Sequence, residues 1–135
     1  MHESRRPGLT ARPAVLDASA VLAWLKGEPG AEAVGPLLDN SVMSAVNWSE
    51  VLQILAEFDI GHGEARAASP MIEVVAFSEP QAALTAALRA STRDAGLSMA
   101  DRACLSLAML RDGPVYTGDR AWAELGLGIE VHLIR

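Results

Sequence analysis

The chain has 135 residues, with Lys+Arg 11 against Asp+Glu 17 and a formal net charge of -6. Hydrophobic residues make up 50% and charged residues 21%, which fills the core of one globular domain and argues against disorder away from the ends. The acidic balance excludes a protein that coats polyanions through a broad basic surface, but not a nucleic-acid enzyme that gathers carboxylates around metal ions.

Residues 1–12 carry Pro7, Gly8 and a group of arginines with no apolar periodicity, and read as a flexible extension ahead of one domain over residues 13–135. Pro13 opens a buried strand, Ala14-Val15-Leu16, that ends at Asp17, and a helix is predicted over Ala18–Lys26. Glu28-Pro29-Gly30 punctuates, and a second helix is predicted from Ala31 to Leu38. Ser41–Ala45 reads as a second strand. Asn47–Phe58 reads as an amphipathic helix, with Trp48, Val51, Leu52 and Leu55 on one face.

Gly61-His62-Gly63 breaks that helix, His62 reading as a loop residue, and a shorter helix is predicted over Glu64–Ser69. Ile72–Phe77 is a third strand, and Glu79–Asp94 a helix with Pro80 in its first turn. Ser98–Arg111 is another helix, stopped by Asp112-Gly113-Pro114. Val115–Thr117 is a fourth strand, Arg120–Leu125 a short helix and Ile129–Ile134 a fifth strand. Short apolar strands alternating with helices imply a mainly parallel five-stranded sheet inside a three-layer α/β/α sandwich.

Cys104 is the single cysteine, so no internal disulfide forms and no thiolate cluster holds zinc. His2, His62 and His132 have no ligand spacing. No apolar run approaches the roughly 18 residues of a membrane span. The expectation is a cytoplasmic, reducing location away from membranes.

In a parallel sheet, ligands bind beyond the carboxyl ends of the strands. Asp17 closes the first strand and Asp119 follows the fourth. Glu50 lies near the start of the helix after the second strand, and Asp101 in the first turn of the helix before the fourth. Each acid has a plainer reading. Asp17 or Ser19 caps the helix that follows, and Asp119 caps the one containing Trp122; for both acids, cap and site weigh about equally. Asn47-Trp48-Ser49-Glu50 has the spacing of a capping box, which favours a cap for Glu50.

Asp101 shares its helix side with Leu97, Cys104, Leu105 and Ala108, which places a carboxylate within an apolar stripe. An uncompensated buried carboxylate costs several kcal/mol, and a bound cation is the economical partner. Clustered acids repel one another, and Mg²⁺ or Mn²⁺, hard ions that prefer oxygen, relieve that repulsion. Such ions also assist hydrolysis of phosphodiesters. Lys26, Arg93, Arg102 and Arg120 flank the same edge, as solvated surface charges in the first instance and phosphate ligands in the second. Trp24 and Trp122 read as core or interface residues before base-stacking platforms, and Trp48 as packing against a partner.

These residues resemble the motifs of a known family. Val15-Leu16-Asp17-Ala18-Ser19-Ala20 resembles the first motif of PIN-domain nucleases, and Asn47-Trp48-Ser49-Glu50-Val51 the second. The stretch from Leu97 to Ala108 around Asp101 resembles the third, and Tyr116-Thr117-Gly118-Asp119-Arg120-Ala121-Trp122 the fourth. The chain is most similar to the VapC-like toxins of toxin–antitoxin pairs.

The resemblance implies a PIN-like sandwich and an endoribonuclease using one or two Mg²⁺ or Mn²⁺ ions. It also implies a homodimer inhibited by a VapB-like antitoxin, with RNA as substrate. Asp17 and Asp101 become the first metal-ligand candidates, and Glu50 and Asp119 complete the acidic site directly or through water. Thr117 and Ser19 support it by hydrogen bonding, and Gly118 provides a sharp turn. The expected products carry a 5′ phosphate and a 3′ hydroxyl. The alternatives are a non-catalytic PIN-like module that binds RNA or protein, and a metal-dependent DNA nuclease.

Overall fold

The computed structural model describes residues 12–135. The predicted extension therefore lies outside the described residues except for Arg12, which pairs with Glu130. The strands are β1 (Ala14–Leu16), β2 (Ser41–Ser44), β3 (Glu73–Val75), β4 (Val115–Thr117) and β5 (Val131–Leu133). They form one sheet in the order β3-β2-β1-β4-β5, and every pairing is parallel. The predicted "mainly parallel" sheet is wholly parallel. β1 and β2 are buried throughout, as strands covered on both faces must be.

Six α-helices accompany the strands among the described residues: α1 (Ala18–Lys26), α2 (Ala31–Val34), α3 (Ala45–Ala56), α4 (His62–Ala68), α5 (Glu79–Ser91) and α6 (Met99–Arg111). Alternation along β1 and β2 divides the core between two faces. Leu16 and Met43 point to a cluster with Val21, Val34, Trp48, Val51 and Leu55, under α1 to α4. Val15, Val42 and Val115 point to the other, with Leu88, Leu105, Leu107 and Trp122, under α5 and α6. These are the three predicted layers.

Several boundaries differ from the sequence reading. The second predicted helix is a single α turn continued by a 3₁₀ segment, Gly35–Asn40, because Pro36 cannot donate an α-helical bond. α3 begins at Ala45, two residues early, capped by Ser44 Oγ accepting from Val46 N at 3.2 Å. A residue that ends a buried strand thus also caps the next helix. His62 opens α4 instead of lying in a loop and meets Trp48 edge-on at 6.3 Å. The predicted helix at 120–125 is a 3₁₀ turn, Arg120–Glu124.

Two of the three tryptophans are internal. Trp48 is 6% exposed and Trp122 1%, so neither is a stacking platform or a partner contact; Trp24, at 37%, keeps an open face.

α5 and α6 meet along a polar seam. Gln81 Nε2 donates to Ala103 O at 3.0 Å, Thr85 Oγ1 and Ser106 Oγ share a bond of 2.8 Å, and Arg102 Nη1 donates to Thr85 O at 2.8 Å. Arg102 is therefore buried, not the surface or phosphate-binding charge predicted for it. The helical offset of about 100° from Asp101 turns it into this seam.

Gly113 joins α6 to β4 where there is no room for a side chain: a Cβ would stand 2.3 Å from Pro13 O. Gly113→Ala is expected to cost about 1–3 kcal/mol as backbone gives way. A thermal melt should fall by about 4 °C for each kcal/mol.

Candidate functional site

The order of the strands reverses between β1 and β4, and the crevice beyond their carboxyl ends is where an open α/β sheet binds ligands. The register sets Leu16 beside Tyr116, and Asp17 N donates to Tyr116 O at 3.1 Å. Asp17 and Thr117 therefore leave the sheet together.

Asp17 occupies the N-cap position of α1 but makes no side-chain cap. Its Oδ2 instead accepts from Ser19 Oγ at 2.7 Å and Thr117 Oγ1 at 2.9 Å. Those hydroxyls are themselves fixed, since Gly118 N donates to Ser19 Oγ at 2.8 Å and Asp119 N to Thr117 Oγ1 at 3.0 Å. Each hydroxyl accepts from the backbone and directs its proton at the carboxylate. The hydrogen bonds of Ser19 and Thr117 thus both go to Asp17. Burial pushes the Asp17 carboxyl above the usual carboxylate range; the Ser19 and Thr117 bonds oppose that rise, and the charge of Asp101 adds to it.

Glu50 is not in a capping box, because α3 starts too early for Asn47 to be its N-cap. Asn47 is wholly buried inside the helix and donates from Nδ2 to Glu50 Oε1 at 3.1 Å and to Ala100 O at 3.0 Å. One amide thereby ties α3 to the start of α6 and sets the direction of Glu50, while Asn47 Oδ1 remains buried without a partner. The Glu50 carboxyl is raised by partial burial; the Asn47 bond lowers it, and Asp17 and Asp101 raise it further. Sequence reasoning missed Asn47, taking it for a cap.

The capping box lies instead at α6. Ser98 Oγ accepts from Asp101 N at 3.1 Å, and Asp101 Oδ2 accepts from Ser98 N at 3.0 Å. Asp101 is half-exposed, so the premise that it is buried and can be compensated only by a cation does not hold. Asp at the third helical position supplies the acceptor that Glu or Gln usually provides. Asp101 nevertheless faces the other acids. Cys104, one turn further along α6, has its thiol pushed up by burial and then by the charges of Asp17, Asp101 and Glu50. The carboxylates that follow β1 and that α3 and α6 carry thus all lie near enough to Cys104 for their charges to act on it.

Asp119 is exposed and is not among the charges that act on Asp17, Glu50 or Cys104. Its Oδ1 accepts from Ala121 N at 3.0 Å and caps the 3₁₀ turn, and its backbone N–H orients Thr117. Gly118 needs no left-handed backbone. Its missing side chain instead admits the guanidinium of Arg135, whose Nη2 lies 2.9 Å from where a Cβ would be. Of the flanking cations, Lys26 is paired with Glu28 at 3.1 Å and lies over the Phe58 ring. A cleft of about 380 Å³ bordered by Arg12, Asp112 and Glu130 opens at the amino ends of the strands, away from the acids.

The three acids share a pattern that suits a hard divalent ion. In each, at least one oxygen is oriented by the chain's own donors: Ser19, Thr117 and the Ala18 backbone for Asp17, Asn47 for Glu50 and Ser98 N for Asp101. No three His, Cys, Asp or Glu among the described residues form a ready-made cage. Mg²⁺ does not require one, since it keeps several waters and binds through one or two carboxylates. The donor set fits such an ion.

The sequence profile of the family described as PIN domain matches residues 14–127. No curated protein matches the chain. Among solved structures, a toxin–antitoxin complex from Klebsiella pneumoniae is similar with a TM-score of 0.74 and 20% identity, over 90% of this chain and 98% of that one. DNA-bound VapBC from Salmonella typhimurium follows at 0.70 and 19%, over 90% and 98%. VapBC-5 from Mycobacterium tuberculosis gives 0.58 and 25%, over 91% and 98%.

Proposed function

The chain belongs to the PIN domain family, and on that premise we propose that it is a divalent-metal-dependent endoribonuclease, the toxin of a toxin–antitoxin pair. The observation that carries the reading is the mutual influence of Asp17, Glu50 and Asp101, each oriented by the chain's own donors and each close enough for its charge to act on the Cys104 thiol. The raised Asp17 and Glu50 carboxyls belong to a site whose negative charge awaits a cation.

Asp17, Glu50 and Asp101 would hold Mg²⁺ or Mn²⁺, and the ion would supply electrophilic stabilisation of phosphoryl oxygens and a more acidic water. Ser19 and Thr117 keep Asp17 in one orientation, and Asn47 does the same for Glu50. Asp119 acts through its backbone N–H on Thr117. Residues that fix metal ligands in this way raise affinity by removing reorientation. The relatives described as toxin–antitoxin complexes support a VapB-like antitoxin as partner. The reading also carries a homodimer at work in the cytoplasm, where RNA is met; no helix among the described residues is long and apolar enough to cross a membrane.

The test is purified full chain on RNA and DNA oligonucleotides side by side, with Mn²⁺, Mg²⁺ or EDTA. RNA should be cut to fragments with 5′ phosphates, EDTA should stop the reaction, and DNA should persist. Binding of RNA without cleavage would establish a non-catalytic module, and equal cutting of DNA a general nuclease; either outcome overturns the assignment.

A further inference from the structure

Parallel strands send everything that follows them to one edge of the sheet. Arg135 lies two residues beyond β5, and Ile134 N donates to Thr117 O at 3.0 Å. The chain therefore leaves β5 directly alongside the β4 turn that holds Asp17. Arg135 Nη1 donates to Pro29 O at 2.9 Å, and the rest of the guanidinium rests on the bare face of Gly118. From Gly118 the path to the acids is short: its N–H bonds Ser19 Oγ, which bonds Asp17.

Among the described residues, no carboxylate pairs with this guanidinium. Lys26 has Glu28, Arg111 has Glu73 and Arg12 has Glu130, while Arg102 is buried in the α5–α6 seam. Arg135 is exposed, and its hydrogen-bond partner is a neutral carbonyl. A planar, permanently charged fork, held by one nitrogen and with no other hydrogen-bond partner among the described residues, is suited to a phosphodiester. An acidic chain that takes RNA needs such a cation beside its carboxylates, because phosphate contacts supply most non-specific affinity.

We propose that Arg135 is the substrate-binding cation of this site, holding a backbone phosphate of single-stranded RNA beside the acids of Asp17, Glu50 and Asp101. The inference rests on the nuclease reading and assigns how that site gains its substrate. Gly118 is part of the device, since a methyl group there would displace the head of a flexible side chain while costing the fold little.

Fluorescence anisotropy of a labelled single-stranded RNA, measured on full-length protein with the cleavage-silencing change Asp17→Asn, tests this directly. Adding Arg135→Ala should weaken binding about tenfold, the scale of one charged hydrogen bond. It should also lower the slope of log K against log salt by about 0.7, as loss of one single-strand phosphate contact requires. Arg135→Lys should restore the slope and part of the affinity, and Gly118→Ala should shift affinity in the direction of Arg135→Ala.

Unchanged affinity and slope, beside normal RNA cleavage by the wild-type chain, would overturn the inference and leave the nuclease standing. Loss of affinity with an unchanged slope, a lowered melting temperature and no rescue by lysine would make Arg135 a clamp between the 29 and 118 turns, and overturn it equally. Loss of binding and slope with a wild-type chain that never cuts RNA would retain Arg135 as an RNA ligand and remove the nuclease.

Discussion

Asp17→Asn should raise the melting temperature of the metal-free protein at pH 7 while cutting RNA cleavage by at least about a hundredfold. Mutating even the partners of metal ligands costs about 10–100-fold, and Asp17 would be a ligand itself. The stability gain has a separate cause. Burial raises the folded carboxyl above its unfolded value, so the native state binds the extra proton between the two. Stability is therefore greatest below the unfolded value and is lost as pH rises through the folded one. Asparagine is neutral throughout and keeps an oxygen that accepts from Ser19 and Thr117. In EDTA the wild-type melting temperature should fall from acid toward neutral pH, and that of Asp17→Asn should fall less. Divalent ion should raise the wild-type value and leave the variant's almost unmoved. A variant that melts lower at pH 7, or cuts RNA at the wild-type rate, would contradict this account.

Asp101→Asn should reduce cleavage by a similar factor with the fold untouched. Asparagine still offers an oxygen to Ser98 N, so the capping box at α6 survives, and the stability change should stay within about 0.5 kcal/mol. Ser98→Ala should behave in the opposite sense, losing about 1 kcal/mol of helix stability with cleavage far less affected. The pair separates charge from cap in two melts and two rate measurements. If Asp101→Asn cut RNA as fast as the wild type, its carboxylate would be a helix cap alone.

The elements most legible in the sequence are those where hydrophobic period changes abruptly. Leu16-Asp17-Ala18 marks the end of β1 and the start of α1 to the residue, and Val115–Thr117 is read whole. Parallel pairing followed from alternation of type, and it brings Asp17 and Thr117 to one edge. Capping was less legible, because the box at Ser98–Asp101 and the lookalike at Asn47–Glu50 have the same spacing. What separates them is the start of α3, set by Ser44, a strand residue to the eye. The burial of Arg102 depends on which helix covers that side of α6, a long-range fact that local periodicity does not contain. Arg135 was within reach of topology, since every residue just past a parallel strand shares an edge with the others, but it belongs to no motif.

The seam between α5 and α6 has a consequence for how still Asp101 is held. Hydrocarbon surfaces slide past one another at little cost, but Gln81, Thr85, Ser106 and Arg102 meet as a keyed joint. Displacing α5 along α6 by one turn would strand a guanidinium and an amide in dry surroundings, which costs several kcal/mol. α6 is thereby denied its easiest sliding motion, and the Asp101 carboxylate at its head inherits a fixed address from contacts that never meet the substrate.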